Sequence, residues 1–312
     1  MGSVSVIVPC FRSAGTLPEL VTRLTTVLRD LSVDHEVILV VDGSPDDTWN
    51  VAVELAGRFG AVRALHLSRN YGQHNALVAG IRDARHDLIV TMDDDLQHPP
   101  EQIPLLLAAL EGDRLDLVYG VPHEEEHGVL RSLASRSVKT AMSGALGIRT
   151  ARMISAFRAF RTHLRHGFAA SSGPHASVDV ALSWATTRVG SVRVHMDRRR
   201  DGRSNYDLRM LVRHTTNMLF GYSTVPLRVA SYLGIMVGLA GLVLCGVVLW
   251  SFAVGNTTVV GFTSLATMIT IFSSAQLIAV GVLGEYIGRV HANGMGRPMY
   301  VVRERTGSQV TV

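Results

Sequence analysis

The stretch TMDDDLQHPP, residues Thr91 to Pro100, sets three carboxylates in a row. Asp93, Asp94 and Asp95 end the apolar run Leu88, Ile89, Val90 and Met92, and a Pro-Pro break follows. Adjacent carboxylates repel one another, so such a run needs something to offset its charge. A helix N-cap would use one of them, since Asp95 precedes a helical pattern at Pro100–Leu110. It would not use three. Hard oxygen ligands in this density suit a divalent cation shared with phosphates, as Mg²⁺ usually is. In an extended stretch Asp93 and Asp95 face one side and Asp94 the other, which reads as a D-x-D pair with Asp94 between. The aspartate-rich motif of prenyltransferases belongs on a helix, and this one follows a strand.

The elements that must position such a pair alternate along the chain. Val4–Pro9, Glu36–Val41, Val62–Leu67, Leu88–Met92 and Leu115–Val121 are strand-like apolar runs. Helical patterns at Thr16–Leu31, Asp46–Arg58, His74–Ala84 and Pro100–Leu110 separate them. This alternation predicts an α/β fold, a mostly parallel sheet with helices on both faces. Ligands in such sheets bind beyond the carboxyl ends of the strands. Polar signatures fall there: Pro9-Cys10-Phe11, Asp42-Gly43-Ser44-Pro45-Asp46, and the three aspartates. No Gly-x-Gly-x-x-Gly follows the first strand and no Walker lysine loop occurs, which speaks against a dinucleotide or P-loop site.

Composition adds a membrane. Only 18% of the 312 residues are charged, and mean hydropathy is +0.24, too apolar for disorder. No charge occurs from Val229 to Phe252 or from Ala253 to Gly284, and Gly255-Asn256-Thr257-Thr258 divides the two stretches. Each exceeds the roughly 20 residues a bilayer needs. Arginines flank the pair (Arg209, Arg213 and Arg228 before, Arg289, Arg297, Arg303 and Arg305 after) while the short connection has none. By the positive-inside rule this predicts a membrane hairpin with both flanks cytoplasmic. The expected organisation is a catalytic domain at 1–205, a juxtamembrane helix at 206–226, two spans within 227–288 and a cytosolic tail at 289–312. MGSVSVIVPCF runs straight into a strand without the basic region of a signal peptide. Two distant cysteines, Cys10 and Cys245, exclude a disulfide framework and fit a reducing compartment.

A second cluster, Arg198, Arg199, Arg200 and Arg203, is dense enough to seat a phosphate bidentately. A solvated basic loop is the alternative. With a net charge of only +4 and a membrane hairpin close by, nucleic acid is not the expected partner. Residues 130–146 carry an apolar stripe with Arg131, Arg136 and Lys139 off it, fitting either an interfacial helix or one packed on the sheet. Leu208–Phe220 reads as a second such helix. Asp179, in SVDVAL, is open to a general-base or a structural role.

Taken in order, SVIVPCF, ILVVDGSPDDT, LSRNYGQHNALVAGI and TMDDDLQHPPEQIP resemble glycosyltransferase family 2 with its GT-A fold. RNYGQHNAL, DDLQHPP, SAFRAF and RRRDGRSNY, with the two spans, are most similar to the polyprenyl-phosphate glycosyltransferases, the formyl-aminoarabinose type above all. The resemblance implies that Pro9, Asp42, Asp93 and Asp94 line the nucleotide-sugar. Asp95 would be the direct metal ligand with Asp93 beside it, and Gln97 would lie near metal and phosphates. Arg199 matches the arginine before Gly-x-Ser-x-Tyr, here Gly202, Ser204 and Tyr206. Arg198, Arg200, Ser204, Arg131 and Arg158 fall to the acceptor phosphate. The implied cofactor is Mg²⁺ or Mn²⁺; the implied partners are a nucleotide-sugar donor, a polyprenyl phosphate acceptor, membrane lipid and further copies of the chain. One departure is Val41, where the family commonly has a second acidic residue before Asp42-Gly43-Ser44.

The implied reaction is inverting attack of a lipid phosphate oxygen on the anomeric carbon, with a nucleoside diphosphate leaving. A phosphate monoester with a second pKa near ~6 is already largely anionic at neutral pH, so a strong base is not obligatory. Two rivals remain. A processive polysaccharide synthase usually carries Gln-x-x-Arg-Trp, and none of Trp49, Trp184 or Trp250 is preceded by that pattern. A catalytically silent nucleotide- or lipid-binding scaffold is set against the intact D-x-D pair.

Overall fold

The computed structural model describes residues 2–122, 153–168, 177–197, 224–254 and 261–306. The chain divides into two compact units, Met1–Asn205 with Gly296–Val312, and Tyr206–Met295.

The first unit is built on an eight-stranded sheet, with β1 (Val4–Cys10), β2 (His35–Val41), β3 (Val62–Leu67) and β4 (Leu88–Thr91) forming its parallel centre. Across the sheet the order is β7 (Val189–Val194), β5 (Leu117–Pro122), β6 (Arg158–Arg161), β4, β1, β2, β3 and β8 (Val302–Arg305). β1 is buried over its whole length because helices cover both faces. Its alternation shows how. Val4, Val6, Val8 and Cys10 join the core under α1 (Leu17–Asp30), α2 (Thr48–Arg58) and α4 (Ile103–Gly112), while Ile7 joins the other core. That second core is covered by α3 (Gln73–Asp83) and α5 (Val178–Ala185). A 3₁₀ turn at Pro100–Gln102 leads into α4, so the helical pattern expected from Pro100 starts one tight turn late.

β6, β7 and β8 lie outside the regular alternation. β5 (Leu117–Pro122) pairs in parallel with β7 (Val189–Val194), and β6 (Arg158–Arg161) runs antiparallel between β5 and β4. β8 (Val302–Arg305) is antiparallel to β3 and closes the far edge. The region expected as a plain tail at 289–312 is therefore shared. Residues up to Gly294 continue a helix, and Val302–Arg305 joins the sheet. Its sequence VRER hides this, because a charged edge strand has no apolar alternation to read.

The second unit contains α6 (Val225–Ala253) and α7 (Gly261–Gly294). Both are long and apolar enough to cross a membrane, and none of the apolar window of either is buried. Soluble core helices would be covered, whereas Leu242 is 70% and Leu277 71% exposed. The two helices pack on each other, with Gly241 so near Phe272 that a Cβ would lie 2.7 Å from its ring. Glu285 accepts from Arg289 one turn on, at 2.7 and 2.9 Å, an i,i+4 pair on the helix surface. The stripe at 130–146 and the helix expected at Leu208–Phe220 lie outside the described residues.

A buried ion cluster joins the strands at the end of the sheet remote from the aspartates. Arg63 on β3 donates to Glu36 on β2 at 2.6 Å and also bonds Asp83 of α3, while Arg305 of β8 reaches Asp83 at 2.7 Å. Glu36 also accepts from Ser5 at 2.7 Å and from the Arg85 amide at 2.8 Å. Burial works against the charged carboxyl, but these bonds outweigh it and hold its pKa below the usual glutamate range. A depressed acid stabilises the fold above its unfolded pKa and loses that contribution as pH falls through the folded one. Arg63→Met leaves Glu36 without its cation and Asp83 with Arg305 alone, and is expected to cost about 1–3 kcal/mol near neutral pH. Denaturant unfolding should show this loss shrinking in acid below the usual glutamate range; a pH-independent loss would refute the assignment.

Candidate active site

The carboxyl ends of the central strands open into loops that side chains tie together. Asp42, the residue after β2, is 3% exposed and spends both oxygens on backbone. The Tyr71 and Gly72 amides donate to Oδ1 and Oδ2, each at 2.7 Å. Burial raises the Asp42 pKa and the two amides act against that rise. The two loops can approach because Gly43 has φ +55°; a Cβ there would lie 2.2 Å from the Arg69 carbonyl carbon and 2.4 Å from the Asn70 nitrogen. The loop after β1 is fixed from two sides. Ser44 Oγ accepts from the Arg12 amide at 2.8 Å, and Thr48 Oγ1 from the Ser13 amide at 2.9 Å. Pro9 sits buried within β1, paired with Val40.

The three aspartates have three different fates. Asp94 turns into the first loop, accepting from the Phe11 amide at 3.2 Å and from Ser13 Oγ. Burial, foremost, raises its pKa, and those two bonds oppose the rise. Asp94 was expected on the nucleotide-sugar; this geometry commits one of its oxygens to holding the β1 loop. Asp93 accepts from Gln73 Nε2, the first side chain of α3, at 2.5 Å. Asp95 accepts the Gln97 amide at 3.1 Å, a turn made possible by Leu96 at φ +61°. That left-handed conformation is uncommon for leucine and places backbone strain in the loop. The helix-cap role considered for Asp95 is absent: Pro99 holds the cap position of the 3₁₀ turn and no side chain caps it.

Gln97 brings in a further segment. Its carbonyl accepts the Asp197 amide at 2.9 Å, and Gln102 Oε1 accepts the His195 amide at 3.2 Å. The end of β7 is thus fastened to the D-x-D loop immediately before Arg198. Arg131, Arg198, Arg199, Arg200 and Ser204 themselves lie outside the described residues.

Arg158, expected on the acceptor phosphate, is inside the fold, with 1% of its side chain exposed. Its Nη1 donates to Asp179 and its Nε to Thr91 Oγ1 at 2.9 Å. Burial disfavours its charge, but Asp179 more than restores it, and the Arg158 pKa is raised. Tyr119 donates to the same carboxylate at 3.3 Å, and burial followed by Asp179 pushes its phenol upward. With its charge matched in the core, Arg158 has no open face for a lipid phosphate in this geometry. It instead anchors Thr91, two residues before Asp93. Of the two roles open for Asp179, this contact is the structural one. Ser13, Gln73, Thr91 and Tyr119 were not picked out from sequence; Gln73 alone had a signal, its place in RNYGQHNAL at a strand-to-helix turn.

Among the described residues no group of three or more His, Cys, Asp and Glu is placed to hold a metal by itself. Carboxylate oxygens from a D-x-D pair do fit a hard cation whose remaining ligands come from a bound diphosphate. Gly43→Ala tests the framework without touching these carboxylates. It is expected to cost about 1–3 kcal/mol from backbone strain alone, and to weaken nucleotide binding because the β3–α3 loop must move. Thermal unfolding and nucleotide titration read the two effects; an unchanged variant would show that the close approach is not required.

The model of Glycosyl transferase family 2 matches residues 5–170. The undecaprenyl-phosphate 4-deoxy-4-formamido-L-arabinose transferase of Serratia proteamaculans is 32% identical over 98% of this chain and 94% of its own. Its Yersinia enterocolitica counterpart is 30% identical over 99% and 95%. Among solved structures, glucosyl-3-phosphoglycerate synthase from Mycobacterium tuberculosis, in complex with Mn²⁺ and uridine-diphosphate-glucose, is similar in fold. That match has TM-score 0.50 and 19% identity, covering 70% of this chain and 77% of that one. The sheet, the D-x-D loop at its carboxyl edge and the relatives spanning the full length agree: this chain belongs to glycosyl transferase family 2, with the GT-A fold and an apolar two-helix addition.

Proposed function

We propose that the protein transfers a sugar from a UDP-sugar to a polyprenyl phosphate, undecaprenyl phosphate first among them, at the cytoplasmic face of a bacterial plasma membrane. The observation that carries this is the bond from the Asp197 amide to the Gln97 carbonyl. It ties the chain just before Arg198-Arg199-Arg200 to the loop bearing Asp93 and Asp95. In this reading the guanidinium groups that follow Asp197 in the chain would serve the same site as the two carboxylates. The near full-length relatives supply the acceptor class, since they are named for undecaprenyl phosphate.

Asp95 and Asp93 would hold Mg²⁺ or Mn²⁺ together with the donor diphosphate. When bound, the cation offsets charge on the departing nucleoside diphosphate. Arg199, with Arg198, Arg200 and Ser204, would seat the acceptor phosphate, and Arg131 would assist from the 130–146 stripe. Guanidinium pairs orient the phosphate oxygen toward the anomeric carbon and exclude a competing water. Because that oxygen is already anionic, the proposal needs no proton abstraction, and Asp179 stays with Arg158. The apolar pair α6 and α7 would hold the enzyme where its acceptor lies.

A transfer assay tests this. Full-length protein in detergent is mixed with undecaprenyl phosphate and radiolabelled UDP- or GDP-sugars, 4-deoxy-4-formamido-L-arabinose included, with Mg²⁺, Mn²⁺ or EDTA. Lipid-extractable label that needs metal is the expected result. Asp95→Ala should lower it by about 10²–10³-fold, the scale of losing one charge-stabilising group, and Arg199→Ala should act mainly on the acceptor KM. Label in a growing polymer would favour a processive synthase instead. Nucleotide and lipid binding without transfer from any donor would favour a silent scaffold.

A further inference from the structure

We propose that Gln73 is a positioning residue for Asp93, fixing that carboxylate for donor and cation without cancelling its charge. The inference rests on the reading of the site as a metal-assisted nucleotide-sugar transferase and concerns a residue outside the D-x-D loop. Three observations carry it. Gln73 Nε2 donates to Asp93 Oδ1 at 2.5 Å, across twenty residues of chain. Gln73 is the first residue of α3, directly after Gly72, whose φ of +91° turns the chain there and whose amide Asp42 holds. Gln73 is also exposed, so core packing does not explain its presence.

The chemistry of the partner matters. Arginine or lysine at this place would orient Asp93 equally well, but would neutralise it and compete with a cation for its oxygens. A carboxylate would repel it. An amide donates an N–H while carrying no net charge, so it engages one Asp93 oxygen without itself offsetting the carboxylate's charge. A carboxylate so fixed is less able to swing round and chelate through both oxygens. This favours an unequal pair, with Asp95 the principal metal ligand and Asp93 serving the donor from a set orientation. The lever behind Gln73 is Asp42, which fixes the loop ahead of α3 through two amides. Asp42 therefore reaches the reaction centre through Gln73, whether or not it touches the nucleotide.

The test uses the full-length protein and UDP as probe. Calorimetry measures UDP affinity with Mn²⁺ and with EDTA, and steady-state transfer gives KM and kcat for the donor. Gln73→Met keeps length and helix propensity but removes the donor. It should weaken Mn²⁺-dependent UDP binding, and raise donor KM, by about ten-fold, the scale of one hydrogen bond to a charged group, with kcat changed far less. Gln73→Glu, isosteric but repulsive, should lose more. In an Asp93→Asn background Gln73→Met should add little, because the two residues act as one unit. Wild-type UDP affinity and KM in both Gln73 variants would overturn the inference alone, as would an undiminished Gln73→Met effect in the Asp93→Asn background. A wild-type protein whose UDP affinity ignores Mn²⁺ would overturn this inference together with the functional reading beneath it.

Discussion

Everything at the carboxyl edge of this sheet depends on buried carboxylates being matched by amide and hydroxyl donors. Strand-end loops have few apolar contacts to hold them, and their backbone donors need partners. Asp42 fastens the loop after β3 to the end of β2. Asp94 fastens the loop after β1 to the end of β4. The bonds are charge-assisted and partly or fully screened from water, which makes them stiff. Asp94, which stands between Asp93 and Asp95 in the chain, has its own donors in the first loop.

The same device recurs beneath the site. Arg158 and Asp179 form a buried pair that also binds Thr91 and Tyr119, joining β6, α5, β4 and β5 under the D-x-D loop. A buried pair is not by itself a large gain in stability, since desolvation offsets much of the attraction. It does fix register, because a one-residue slip of β6 against β4 would strand both charges. Rigid support below and tied loops above hold the loop that carries Asp93 and Asp95.

How much of this the sequence revealed follows from what sets each feature. β1 to β5 and α1 to α4 were legible because parallel strands covered on both faces are continuous apolar runs separated by helical periods. The D-x-D alternation was legible because side chains on an extended stretch point to opposite faces. β6 and β8 were not. RAFR and VRER are short, carry two arginines each, and become strands only by pairing with β4 and β3. The inward turn of Arg158 was equally hidden. An arginine in a motif says that a positive charge is needed, while the partner that claims it, Asp179, lies twenty-one residues away on another element. Gln73 and Asp93 are separated in the same manner. Charge type is local information; pairing is not.

β8 has a consequence for how the protein is made. The catalytic sheet is discontinuous in the chain: its last strand is synthesised only after both apolar helices have emerged. Until then β3 has an open edge, and Asp83 has Arg63 without Arg305. An unpaired edge strand readily templates wrong pairings. Completion of the sheet is thereby deferred until both apolar helices have been synthesised. The order of events is written into the connectivity itself.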